Sequence, residues 1–309
     1  MVAEQGLQAP SFQAAAAAFG RAVGEDISAD SVRRLTEGFG AQVEARRAGE
    51  VEAAFALEGP ADPVELVEPV EERGNLSSDG TMLRVRGEGY KEVKLTVLSE
   101  CTVTPGEGDA DPRVRLHKHS CQAGLWDADT LGRYQYVEGL RRGLGSCEEL
   151  TSVNDAAAWI GRVTGENYPQ AVQIVDWGHA AQRVWAAAQA LHGEGSEAAR
   201  EWAQRHQATL WQGSAVAVAE ALAPDAHQEA VRTLQGYLRG NAERMHYAAY
   251  RCQGYPIGSG TVESAGKNYV QHRMKRSGPG WNRPTGQAML SALSELHSGR
   301  FDLAWEQCA

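Results

Sequence analysis

The sequence predicts an α/β protein: a mixed sheet flanked by helices, with a helical block late in the chain and a short helical segment at its start. Three features carry that expectation. Residues 75–98 are rich in Val, Leu, Thr and Tyr with partial alternation, residues 127–191 switch between helical and extended patterns, and residues 196–251 offer helical patterning alone. With 309 residues, 42% of them hydrophobic, the chain has ample material for a core.

Taken in order, Phe12 to Val23 and Ser28 to Phe55 read as helices, the second carrying an apolar stripe of Val32, Leu35, Phe39 and Val43 with Ser28 or Asp30 as its N-cap. The break at residues 24–28 is spaced like the turn of a helix-turn-helix, and a helical hairpin used only for packing fits it equally well. Arg33, Arg34, Arg46 and Arg47 supply the positive charge there. Residues 57–73 are acidic and contain Pro60, Pro63 and Pro69, so they read as a linker. Strands follow at Asn75 to Val85 and Tyr90 to Leu98, joined by Gly87-Glu88-Gly89 as a hairpin turn, and at Val114 to Lys118. Next come a helix from about Asp127 to Gly143, strand Glu149 to Asn154, helix Ala156 to Gly165, strand Ala171 to Val175 and helix Trp177 to Leu191. This order is compatible with a ribonuclease H-like fold spanning residues 74–300 and holding a helical insertion at about 196–251.

Composition removes several classes of function. No apolar run approaches the ~18–20 residues that a bilayer crossing needs, and the alanine run Ala14 to Ala18 lacks the flanks of a signal peptide. The cysteines at 101, 121, 147, 252 and 308 are scattered, with no Cys-x-x-Cys pair, which argues against a disulfide framework or a zinc ribbon and fits a reducing cytoplasm. A net charge of −10 and a pI near 5.4 mean that any nucleic-acid contact must be local.

Three acids stand where metal-dependent phosphoryl chemistry would need them. Asp79 lies inside the first strand pattern, Asp155 ends the fourth, and Glu263 follows Gly254-Tyr255-Pro256-Ile257-Gly258-Ser259-Gly260-Thr261-Val262, a glycine-punctuated turn opening into a helix from Gly260 to Lys275. Carboxylates bind hard cations, and two such ions can clamp the attacking and leaving oxygens of a phosphodiester. Each acid also has a structural explanation: Asp155 as a helix cap, Glu263 as a first-turn acid favoured by the helix dipole. Asp176 ends the fifth strand, with His179 on the same face of the next helix, and this pair competes with Asp155. Lys267, Arg273, Lys275, Arg276 and Arg283 cluster after Glu263 with Trp281 among them, a pattern that could grip phosphates and stack on bases or could be a solvated basic face. Gly258-Ser259-Gly260 resembles a phosphate nest. His117, His119 and Cys121 lack a fourth ligand, and Trp185, Trp202 and Trp211 read as core or interface anchors.

Whole phrases, not single letters, then carry a resemblance. Asp79-Gly80-Thr81-Met82 with Tyr90-Lys91-Glu92-Val93-Lys94, Val153-Asn154-Asp155-Ala156-Ala157-Ala158-Trp159-Ile160, and Tyr255 to Ala265 are similar to segments of DDE-type bacterial insertion-sequence transposases of the ISKra kind, over nearly the whole chain. The resemblance implies a ribonuclease H-like catalytic core. It also implies catalytic and metal-binding roles for Asp79, Asp155 and Glu263 with two divalent cations, magnesium or manganese. Asp176 and His179 fall to a supporting motif, and DNA contacts to Lys267, Arg273, Lys275, Arg276, Trp281 and Arg283. The expected activity is cleavage and strand transfer at element ends, by a homo-oligomer on DNA in the bacterial cytoplasm. Family members usually carry a zinc-binding segment and helix-turn-helix elements ahead of the core, so residues 1–56 are expected to be the remnant of an N-terminally truncated DNA-binding region. The alternative is a catalytically silent, transposase-derived DNA-binding or regulatory protein.

Overall fold

The computed structural model of the chain describes residues 1–56, 65–67, 69–70, 72–108, 110–225, 227–275 and 280–308. Five strands form one mixed sheet in the order β3-β2-β1-β4-β5: β1 (Arg73–Val85), β2 (Gly89–Thr104), β3 (Arg113–Gly124), β4 (Glu149–Asn154) and β5 (Val172–Val175). The first three are antiparallel, while β4 runs parallel to β1 and β5 parallel to β4. The β1–β2 turn works because Gly87 and Gly89 take φ of 75° and 77°, values that side chains resist. Parallel pairing needs crossovers, and helices α4 (Ala128–Arg141) and α5 (Ala158–Asn167) lie in the connections that lead to β4 and β5.

On one face of the sheet, Leu83, Val93, Leu95 and Val97 pack with Val262, Tyr269, Met289, Leu290 and Leu293. Those partners come from α11 (Gly260–Ala265), the π-helical stretch Gly266–Met274 that continues it, and α12 (Arg283–His297). The opposite face is polar beneath α4, where Gln135 donates to Ser78 Oγ and Thr96 Oγ1, both at 3.1 Å. Asn154 Oδ1 accepts from Ser78 N at 2.5 Å, extending the β1–β4 link past its last ladder pair.

A second core belongs to the helical block expected from the sequence. Helices α6 (Trp177–His192), α7 (Glu197–Trp211), α8 (Ala215–Ala221), α9 (Glu229–Asn241) and α10 (Tyr247–Cys252) surround Val184, Trp202, Leu210, Val218, Leu234, Leu238 and Tyr247. Trp202 is a core residue, while Trp185 and Trp211 pack against that core half-buried, which is the anchoring role expected of all three.

Helices α1 (Val2–Gln8), α2 (Phe12–Val23) and α3 (Ala29–Ala54) pack onto the sheet domain. At Gly40 a side chain would meet the Ala288 carbonyl at 2.5 Å, so α3 and α12 approach backbone to backbone. Arg47 donates to Ser291 O at 3.1 Å, and Arg273 donates to Gly6 O at 2.9 Å. The other arginines of α3 face acids: Arg33 pairs with Asp30 and Glu37, Arg34 with Asp30, Arg46 with Glu50. Ser28 caps α3 by accepting from Ser31 N, as expected. Most of the expected linker, residues 57–64, 68 and 71, lies outside the described residues, while Val67 N and Val70 N bond the carbonyls at the end of α4. Helix α13 (Phe301–Cys308) closes the chain. All five cysteines are free, and no helix among the described residues is long and apolar enough to cross a membrane.

Candidate active site

Register brings the aspartates together. Arg73 pairs with Glu149 and Leu76 with Ser152, so three residues further on Asp79 is level with Asp155. Asn154 pairs with Val175, which sets Asp176 level with Asp155 on the next strand. Three aspartates therefore stand in a row across three parallel strands spaced ~4.8 Å apart, Asp155 and Asp176 just past the ends of β4 and β5 and Asp79 midway along the longer β1. Helix termini and loops converge at that end of an α/β sheet, so polar groups can be delivered there without breaking the core.

Glu263 arrives from α11 and His179 from the first turn of α6. Ligand atoms of Asp176, His179 and Glu263 all lie within 4.8 Å of one another, a grouping close enough to share one cation. Distance alone overstates Asp176. Its Oδ1 accepts from His179 N at 2.7 Å, and its Oδ2 accepts from Ser259 N at 2.6 Å and from Ser259 Oγ at 3.0 Å. His179 Nδ1 sits 3.2 Å from Oδ1. Those donors consume most of the lone pairs that a carboxylate offers. Asp176 is 4% exposed and acts as a clamp between the start of α6 and the turn before α11. The nest-like Gly258-Ser259-Gly260 turn thus already holds an anion, and that anion is Asp176.

Asp155 is freer. Its Oδ1 accepts from Ala157 N at 3.0 Å, a bond within the turn ahead of α5; the helix starts two residues later than expected with Ala157 as its N-cap, so Asp155 is not the helix cap the sequence suggested. Asp79 Oδ1 accepts from the adjacent Gly80 N at 2.7 Å. Burial pushes the Asp79 carboxyl up, the Gly80 amide opposes this, and the negative charges of Asp155 and Glu263 push it up further against His179. Asp79 therefore shares one electrostatic field with the other acids, although it stands outside the tight Asp176–His179–Glu263 grouping. His179 Nδ1 is buried and lacks an aligned hydrogen-bond partner despite its closeness to Asp176. An orphaned ring nitrogen beside the Asp176 and Glu263 carboxylates is a donor set that fits a divalent cation, and Asp79 and Asp155, with spare lone pairs, stand outside that grouping.

The basic residues divide sharply. Lys267 is exposed, and Lys275 reaches Thr81 Oγ1 at 2.7 Å, two residues along β1 from Asp79. Arg273 is 4% exposed and lies over the rings of Phe12 and Trp281, so it packs the N-terminal helices to the core instead of presenting charge to solvent. Trp281 is half-buried and donates to Met274 O at 3.0 Å, so its ring is committed to packing. Arg283 is held by Glu88 at 2.6 Å. Arg276 lies outside the described residues. The histidines and cysteine that the sequence set aside as ligands bond within the protein: His119 bonds Ser99, His117 bonds Thr102, and Cys121 bonds the buried Tyr269 hydroxyl.

Three residues of the site carried no role in the sequence reading. Ser259 was read only as part of a nest-like Gly-Ser-Gly turn, with no role for its side chain. Arg183, four residues after His179 and so on the same helical face, lies 4.3 Å from the Tyr237 ring centroid. Burial pushes the Tyr237 phenol up to about 12, opposed by Arg183 and reinforced by Asp155 and Asp176, which marks α9 as a wall of the site. The spacing of His179 and Arg183 was a usable signal for Arg183. No local pattern could have revealed Tyr237. Neither the protein-family models nor the curated proteins contain a match to this chain.

Proposed function

We propose that the protein is a divalent-metal-dependent phosphoryl-transfer enzyme acting on DNA, a DDE-type transposase with a ribonuclease H-like core. The observation that carries the reading is the level placement of Asp79 and Asp155 on adjacent parallel strands, with the charge of Glu263, from beyond a helical block, felt at Asp79. The strand order, with β4 and β5 parallel to β1, is compatible with that core. The phrases around the three acids resemble the family's.

Asp79, Asp155 and Glu263 would hold the cations, with His179 Nδ1 beside them. A divalent cation bound there lowers the pKa of an attacking water or 3′ hydroxyl and neutralises charge on the departing oxygen. The chain's own residues do the rest. Asp176 fixes the start of α6 and the turn before α11, and so sets His179 and Glu263 relative to each other. Lys275, next to β1, and Lys267 offer positive charge to phosphates on an otherwise acidic protein.

The test is nicking of a supercoiled plasmid carrying the flanking element ends, in magnesium and in manganese. Wild type should nick it, and Asp79→Asn, Asp155→Asn and Glu263→Gln should each lose at least ~100-fold, as removal of a transition-state-stabilising group does. Asp176→Asn should lose less and recover partly with added metal, because it displaces a clamp and not a ligand. An inert wild type that still binds the plasmid would favour the silent DNA-binding alternative.

A further inference from the structure

Serine is a favoured helix N-cap because its hydroxyl accepts from the first-turn amides, yet Ser259, the N-cap residue of α11, makes no such bond. Its hydroxyl is diverted. Ser259 Oγ lies 3.0 Å from Asp176 Oδ2 and 3.1 Å from Glu263 Oε1, and the residue is 2% exposed. One hydroxyl proton faces two carboxylates. Asp176 Oδ2 already accepts from Ser259 N at 2.6 Å, whereas no other hydrogen bond to the Glu263 carboxylate is seen among the described residues. The proton is therefore worth more to Glu263, where it fixes a side chain that otherwise has several rotamers open to it.

We propose that Ser259 is a positioning residue for the cation site: its hydroxyl holds Glu263 Oε1 and leaves Oε2 to face the metal, while its amide anchors the same turn to Asp176. The inference rests on the metal-dependent reading above. The site is preorganised by a chain of bonds running from the start of α6 through Asp176 and Ser259 to Glu263. Removing the hydroxyl leaves the amide anchor intact and frees only the glutamate. Metal affinity should fall while the fold stands.

Manganese binding to the purified full chain, read by electron paramagnetic resonance of the free ion, tests this without relying on activity. Ser259→Ala should raise the manganese Kd about tenfold, the effect expected from losing a hydrogen bond to a charged group. Its metal-free unfolding midpoint should stay within a few degrees of wild type, and Ser259→Thr should restore affinity. Should Ser259→Ala fail to fold, Ser259→Cys, a weaker donor in nearly the same volume, should show the same loss in smaller degree. An unchanged or tighter Kd in Ser259→Ala overturns the positioning role and leaves the metal site standing. A wild type that binds no manganese overturns the metal site itself, and the inference with it.

Discussion

An ionised carboxylate at Asp79 is disfavoured first by burial and then by the charges of Asp155 and Glu263. Its pKa in the folded chain therefore lies above the unfolded value of ~3.9. A raised acid destabilises the fold fully at pH values above its folded pKa, and the penalty vanishes below the unfolded one. Asp79→Asn keeps an oxygen for the Gly80 amide but removes the charge. In metal-free protein at pH 7 this variant should melt higher than wild type, and the gain should shrink to nothing as the pH is lowered through about 4. Adding manganese should reverse the order, because only the charged residue is repaid by a cation. Thermal melts across pH with and without metal check this, and a variant that melts lower at pH 7 would sink the account. The acids draw notice in the sequence because a strand interior, two strand ends and a glycine-rich helix start hold them. The clamp does not: Asp176 and Ser259 are 83 residues apart, and their bond exists only once the sheet and α11 have met.

Elements were read best where hydrophobic pattern alone decides them. Helix α2 and strand β4 coincide with their expected bounds, Phe12–Val23 and Glu149–Asn154. Helix α3 was misread on its contact face: Leu35 is exposed, and the buried side carries Thr36, Gly40 and Arg47 beside Val32, Phe39 and Val43. A face built for close approach uses small residues, and one that meets a buried ion network uses charge, so apolar periodicity under-reports both. That network is centred on Glu138 of α4, fully buried, which accepts from Gln122, Arg141 and Arg300 at 2.6–2.8 Å. Arg300 also bonds Glu295, which faces Arg47 of α3. Burial alone would raise the Glu138 pKa, but Arg300 and Arg141 hold it down to about 2. Glu138→Ala leaves two buried cations short of a partner and should cost about 3–5 kcal/mol in denaturant unfolding at pH 7. Because this acid is depressed, its stabilisation is complete above the unfolded pKa of ~4.3 and is lost as pH falls toward 2. The difference between variant and wild type should narrow across that window. A difference that persists undiminished at pH 2.5 would mean that packing, not charge, is what Glu138 supplies.

At the scale of the whole molecule, the α/β layout and the helical block were legible because period and composition change along the chain, whereas the place of residues 1–56 was not. Nothing in an amphipathic helical segment says whether it stands apart or covers a sheet domain. Here it covers one: Phe39 meets Phe301 at a centroid distance of 5.1 Å, Arg47 bonds α12, and Gly6 O receives the buried Arg273. Arg273 sits between Phe12 and Trp281 within a few residues of the Lys275 that reaches β1. The N-terminal helices therefore brace the segment that follows Glu263. A chain lacking residues 1–54 would expose the inner face of α12, take the Gly6 carbonyl and the Phe12 ring from Arg273, and take Arg46 and Arg47 from Glu295, leaving it Arg300, a loss that a marginally stable domain does not survive. That deletion should lose its cooperative unfolding transition and, with it, metal binding and nicking. Residues 1–56 and 65–309 supplied as two separate chains should by contrast associate, since the contacts named above are retained. Size-exclusion chromatography and melting of both species decide the matter: a deletion that melts cooperatively and nicks plasmid would show that the helices are a dispensable appendage, with the site assembled entirely by the sheet domain and its helical block.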